Sequence, residues 1–313
     1  MQMDTGVAMS LWCEEAEDAE RTEAPVHTAD GGQAQLRAAW DPSVSGHRVI
    51  QRLLHMEDRY APSPLYVSII QQDPQRREEL CKWTLEVCCV CGCDEAVFPL
   101  SVSLMDRFLS TTLSLPASPH CLAAACVLIA SKLTECDNIQ SDALCAAADD
   151  NFLPSDLREM ERVVLGTLRW DTAAVTPQDF LPHFLASVQE RSEGGDSEQE
   201  RTTLRRHSDT LAAMCVCEPR FLGTPPSLMA AASLNCALRG LSDRGRHQRS
   251  AMSLRLAELC QADLVVLQYY SRMIECALHQ RLSSGLAEPP TEKGDEMEDE
   301  RAGTPTDMRE IDF

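Results

Sequence analysis

The chain has 313 residues, 44% of them hydrophobic and only 5% aromatic, which is enough for two ordinary domains with mainly aliphatic cores. Its formal net charge of −21 argues against nucleic acid as the main partner, because a phosphate-binding protein needs a basic face. The chain has 15 cysteines, and its acidic N-terminus lacks the apolar segment of a signal peptide, so we expect reduced thiols. No stretch predicts a transmembrane span.

The two ends of the chain carry no helical pattern. Residues 1–42 are polar and acidic, and residues 285–313 are rich in proline, glycine and acidic side chains. Neither segment can bury enough apolar surface to fold alone, so both are expected to be disordered.

Between these ends, the spacing of apolar residues predicts helices throughout and no strand. In the first half, the predicted helices cover residues 45–58, 74–91, 94–111, 119–133, 141–148 and 154–170. Asp106 and Arg107 are expected on the polar side of the third. In the second half, the predicted helices cover residues 177–188, 202–216, 226–239, 250–259 and 262–282.

The helix from Pro119 to Leu133 is predicted to be the centre of the first half. From Cys121 to Ala130 it carries no charge, and a helix that is apolar all round is normally buried. The same pattern returns from Pro226 to Arg239 at a constant offset, with three alanines and a final basic residue aligned. The duplication predicts two tandem all-α domains, at residues 43–172 and 173–284.

Several motifs in this order resemble cyclins, and within them the D-type cyclins. The segments that carry the resemblance are Trp83–Cys88, Val97–Leu100, Asp106–Ser110, Ala130–Lys132, Leu168–Trp170, Thr176–Phe180, Pro225–Ser227 and Thr304–Asp307. The resemblance covers residues 49–282 and both tails. It implies an all-α fold of two tandem five-helix cyclin boxes.

The resemblance also implies a function. A D-type cyclin is a regulatory subunit, not itself an enzyme, that activates cyclin-dependent kinase 4 or 6. It directs phosphorylation of retinoblastoma-family proteins, promotes the G1/S transition, and acts in nucleus and cytoplasm. Kinase inhibitors of the Cip/Kip type are further implied partners, and no cofactor, nucleic acid or membrane is implied.

By position in the family, Lys132 and Glu161 are the polar pair that holds the kinase's C-helix region. A lysine can donate to backbone carbonyls, and a glutamate can accept from backbone N–H groups or a basic side chain. From the residues alone, the alternative is a lysine at the rim of the core and a solvated glutamate.

Leu11, Cys13 and Glu15 fit the pattern Leu-x-Cys-x-Glu found near the start of D-type cyclins. In extended backbone, alternate residues face the same way, so these three side chains would enter one groove. The resemblance implies a retinoblastoma-type pocket as the target. A chance match in an acidic arm is the alternative.

The substrate-docking patch of the family corresponds here to Leu80, Trp83 and Glu86. Two apolar positions of the family patch are Arg76 and Glu79 in this chain. We therefore predict a weakened patch; the alternative is that the leucine and the tryptophan belong to the core.

Thr304 precedes a proline and resembles the D-type phosphorylation site that governs export and turnover. A phosphate would add about −1.5 to −2 charge to an already acidic tail, which favours recognition by a separate receptor. The alternative is an unmodified threonine.

The cysteine-rich run Cys88–Cys93 lacks the second ligand pair that structural zinc requires, so no metal is predicted. No phosphate-binding loop or nucleophile motif is present, so the sequence offers no residues that would catalyse a reaction. Two alternatives remain: a cyclin-fold transcription adaptor, disfavoured by the acidic charge, and a divergent cyclin that acts as a scaffold or sequesters inhibitors.

Overall fold

The computed structural model describes residues 46–148, 151–189, 198–241 and 246–285, which form twelve α-helices without a β-strand. The Leu11–Glu15 motif and Thr304 lie outside these ranges, as do both tails. No helix in the described ranges combines the length and the apolar character that a membrane span requires.

Two helices, α1 (His47–Glu57) and α2 (Pro64–Gln72), precede a pair of five-helix repeats. The first repeat contains α3 (Gln75–Val90), α4 (Val97–Thr112), α5 (Pro119–Thr134), α6 (Ser141–Ala147) and α7 (Pro154–Thr167). The second contains α8 (Pro177–Gln189), α9 (Glu198–Cys217), α10 (Pro226–Leu241), α11 (Arg246–Leu259) and α12 (Leu264–Gly285). The predicted all-α fold of two tandem five-helix repeats is confirmed.

The two duplicated helices, α5 and α10, are the centres of their repeats. Each contacts the other four helices of its own repeat. Every residue from Cys121 to Ser131 is buried, and so is every residue from Ala230 to Leu238. Because alanine and cysteine are small, neighbouring helices can pack closely around both, and a proline occupies the first turn of each without losing a hydrogen bond.

Apart from helix bounds that shift by a few residues, two features differ from the sequence prediction. Helix α2 was not predicted, because the prolines on either side of it indicated only the end of α1. Asp106 was predicted to be polar surface and is instead buried, because its carboxylate has buried partners inside the first repeat. Asp106 therefore belongs to the interior of the protein.

Helix α1 packs against the second repeat, although it precedes the first. Its Ile50 is fully buried in the hydrophobic core built by α8 and α10. At the end of α1, the buried carboxylate of Glu57 accepts hydrogen bonds from the backbone N–H and the hydroxyl of Ser227, both 2.9 Å long. Glu57 thus caps the N-terminus of α10, where an anion is favoured by the helix dipole.

The Glu57 carboxyl should make stability depend on pH. Burial raises its pKa above 4.5, although the Ser227 hydrogen bonds oppose the shift. The folded protein therefore binds this proton more tightly than the unfolded chain, and its contribution to stability is lost as pH rises through the folded pKa. We expect Glu57→Gln to flatten the fall in the free energy of unfolding as pH rises above 4.5. Urea unfolding at a series of pH values measures it, and a pH dependence parallel to that of the wild type would contradict it.

Candidate functional site

The structure brings together the two residues that were predicted to hold a kinase. Lys132 lies in the last turn of α5, and its Nζ donates a hydrogen bond to Oε1 of Glu161 on α7 over 2.6 Å. The lysine side chain is 42% exposed and that of the glutamate 14%. The alternative of a solvated Glu161 is therefore wrong, whereas Lys132 does lie at the rim of the core.

The pair keeps unused hydrogen-bonding capacity. An ammonium group has three donors, and a carboxylate has two acceptor oxygens. The bond between Lys132 and Glu161 uses one donor and one oxygen. Both groups can therefore bind a partner's backbone while they remain paired with each other.

Exposed apolar side chains lie on the two helices that carry this pair and just beyond α7. Leu133 follows the lysine and is exposed, as is Val163 on α7. Trp170, just beyond the end of α7, is 73% exposed. Buried aromatic anchors carry much of the binding energy in protein interfaces, so the exposed tryptophan is a candidate anchor. Sequence reasoning used Trp170 only as part of a family motif and missed this exposure.

The backbone at the end of α7 holds Trp170 in place. Arg169 donates its N–H to the carbonyl of Gly166, and Trp170 donates its N–H to the carbonyl of Leu165, which closes the helix. Both residues have left-handed φ angles, 54° and 61°. This conformation costs about 1–3 kcal/mol for each non-glycine residue, and such strain is concentrated at functional sites.

A buried ionic network joins α2, α3 and α4 to the end of α9. The guanidinium of Arg77 on α3 donates to both carboxylate oxygens of Asp106 on α4, over 2.9 and 2.7 Å. The hydroxyl of Tyr66 donates to the same carboxylate over 2.8 Å. Arg77 also donates to the carbonyls of Val216 and Cys217 at the end of α9. The network connects the two repeats, and the sequence did not reveal it.

The docking-patch residues take different positions on α3. Leu80 is buried in the core of the first repeat, as the alternative interpretation had it, and Glu86 is exposed. Trp83 is half-buried, and its ring makes a T-shaped contact with the exposed ring of His120, with 4.8 Å between centroids. Arg76 and Glu79 are exposed. Charged groups therefore occupy this surface, and the weakening of the patch stays a prediction.

The second repeat contains an ion pair of the same design. Arg239, which aligns with Lys132, donates from α10 to Glu275 on α12 over 2.7 Å. The two side chains are 46% and 20% exposed, close to the values of the first pair. The residue after Arg239 is Gly240, where the first repeat has Leu133. The second pair thus lacks this apolar neighbour.

The cysteine-rich run forms the end of α3. Cys93 donates its N–H to the carbonyl of Cys88 over 2.9 Å, across a turn at Gly92 with φ 65°. Burial raises the pKa of Cys89 and of Cys91 to about 11, so these thiols stay protonated at neutral pH. Among the residues the structure describes, no group of three or more ligand side chains is placed to hold a metal ion.

Comparisons with known proteins match this architecture. The family model "Cyclin, N-terminal domain" matches residues 48–173, and "Cyclin, C-terminal domain" matches residues 175–286. G1/S-specific cyclin-D1 of Danio rerio is 34% identical over 283 residues, covering 88% of this chain and 95% of the relative. G1/S-specific cyclin-D2 of Mus musculus is 34% identical, covering 88% and 96%.

A solved structure supports the fold. A viral cyclin from herpesvirus saimiri superposes with a TM-score of 0.63 at 24% identity, covering 76% of this chain and all of that one.

The fold and both family models define a cyclin, a regulatory subunit of a cyclin-dependent kinase and not itself an enzyme. The chain belongs to the cyclin family, and within it to the D-type cyclins, so its role lies in G1/S.

Proposed function

We propose that this cyclin binds and activates cyclin-dependent kinase 4 or 6 and directs it to retinoblastoma-family proteins. The observation that carries the proposal is the ion pair between the exposed Lys132 and the largely buried Glu161, with the exposed Leu133 next to the lysine in sequence and the exposed Trp170 just beyond the end of α7. A ready-made donor and acceptor beside exposed apolar side chains suits contact with a helix and its adjoining backbone.

Activation follows from differential binding. A kinase is active when its C-helix glutamate pairs with the strand-three lysine. A cyclin that contacts only the swung-in C-helix shifts the kinase toward that state. Because Lys132 and Glu161 already hold each other, little side-chain entropy is lost when the kinase binds.

The tails supply the remaining parts of the proposal. Leu11, Cys13 and Glu15 bind the retinoblastoma-type pocket and bring the substrate to the kinase. Thr304 is phosphorylated, and a separate receptor reads the phosphate to control export between nucleus and cytoplasm. Cip/Kip inhibitors are recruited weakly, because Arg76 and Glu79 replace apolar contacts.

A phosphorylation assay tests both halves of the proposal. Kinase 4 or 6 is mixed with this chain and either a retinoblastoma fragment that contains the pocket or a short C-terminal fragment without it. We expect phosphorylation of both fragments by the wild-type complex. The combined Leu11→Ala, Cys13→Ala and Glu15→Ala variant should phosphorylate the pocket fragment roughly tenfold more slowly and the short fragment at an unchanged rate. Equal loss on both fragments would reject the motif's role. Absence of activity with either kinase would reject activation and favour the scaffold alternative.

A further inference from the structure

Helix α7 exposes a row of arginines beside the proposed kinase contact. Arg158 and Arg162 are four residues apart, and Arg169 follows just after the helix ends; all three are exposed. None of these side chains forms an ion pair or a hydrogen bond with the part of the chain that the structure describes. Two positive charges on one short helix and a third just beyond its end, all without an ion pair in the described ranges, stand out in a chain of net charge −21.

The row lies within the proposed contact surface. Successive residues of a helix are about 100° apart, so Arg158 and Arg162 share one face of α7. On one side of that face is Glu161, the partner of Lys132, and on the other is Val163. A kinase that touches the ion pair and the apolar side chains must therefore cover the arginines.

We propose that Arg158, Arg162 and Arg169, the arginine row, select a kinase whose contacting surface carries carboxylates. This inference rests on the proposed function and names the partner's chemistry at the same site. A guanidinium pairs with a carboxylate through two parallel hydrogen bonds, whereas an uncharged or basic surface would leave three cations unpaired. The row also speeds association, because complementary charges steer two proteins together before they touch.

The test compares two charge-reversed variants with the same change in net charge. One is Arg158→Glu with Arg162→Glu on α7. The control is Arg48→Glu with Arg52→Glu on α1, where both arginines are also exposed, four residues apart and without an ion pair in the described ranges. Association and dissociation rates with kinase 4 or 6 are measured at about 0.05 and 0.5 M salt.

We expect the α7 variant to associate about tenfold more slowly at low salt, and the difference to shrink at high salt because salt screens exposed charges. The control should associate like the wild type. Equal association rates for both variants would overturn the proposed role of the arginine row. The proposed function would still stand if the wild type activates the kinase. Absence of kinase binding by the wild type would overturn both. If removal of residues 286–313 speeds association only in chains that keep the arginines, the arginine row binds the chain's own acidic tail. That result would overturn the proposal.

Discussion

Lys132→Glu should abolish kinase activation. The reversed side chain would face the carbonyl oxygens that we propose the lysine binds, and like charges across a contact cost several kcal/mol, which is at least a hundredfold in affinity. The loss should appear in a phosphorylation assay with kinase 4 or 6 and in the dissociation constant of the complex. Unchanged affinity would reject the proposed role of Lys132.

The intramolecular pair offers a sharper control than a single substitution. Lys132→Glu leaves Glu161 beside another carboxylate, so part of any loss could come from damage to α7. Lys132→Glu combined with Glu161→Lys restores the ion pair with its polarity reversed. If the pair serves only to join α5 to α7, the double variant should regain activity. If the pair contacts the kinase directly, activity should stay lost.

The second repeat supplies a matched comparison. Arg239 and Glu275 form the same kind of pair with nearly the same exposure. Arg239→Glu should cost the second repeat about as much stability as Lys132→Glu costs the first, within the range of about 0–1 kcal/mol of exposed ion pairs. It should leave kinase activation intact. Equal loss of activity in both variants would point to general destabilisation.

Asp106→Ala should produce the largest loss of stability, about 3–5 kcal/mol. The substitution leaves the guanidinium of Arg77 buried, with its side chain only 3% exposed, and removes its carboxylate partner. It also removes the acceptor of the Tyr66 hydroxyl. Urea unfolding should show a lower midpoint with an unchanged slope.

A second variant separates the cost of an unpaired charge from the value of the pair. Arg77→Met combined with Asp106→Leu removes both charges and keeps the volume apolar, and such replacements are often neutral or stabilising. We expect it to be clearly more stable than Asp106→Ala. A double variant as unstable as the single one would show that the bonds from Arg77 to the carbonyls of Val216 and Cys217 matter more than the ion pair.

The helices were predictable because their signals are local. An uncharged run such as Cys121–Ala130 can only be buried, and its repetition after Pro226 indicated the second repeat. Asp106 was not predictable in this way, since a helical pattern shows which face is polar but not which carboxylate has an arginine from another helix opposite it. Helix α2 is short and lies between prolines, where local signals favour a turn.

The candidate site was predictable in part. Lys132 and Glu161 were assigned by their position in a family motif, and their contact depends on how α5 packs against α7. The exposure of Trp170 depends on a left-handed turn at Arg169, where sequence rules expect glycine. Predicting the arginine row required the orientation of α7, because Arg158 and Arg162 are known to be exposed only once Leu157 and Val164 are placed in the core.

Because of the contacts of Arg77 and Glu57, the first repeat needs the second in order to fold completely. Arg77 completes its hydrogen bonds on carbonyls of α9, and Glu57 caps α10 from a helix that precedes both repeats. Expressed alone, residues 46–173 would expose the side of Ile50 that the second repeat covers and leave a buried guanidinium short of acceptors. The two cyclin boxes should therefore melt as one cooperative unit, and neither half should be a dependable reagent for binding studies.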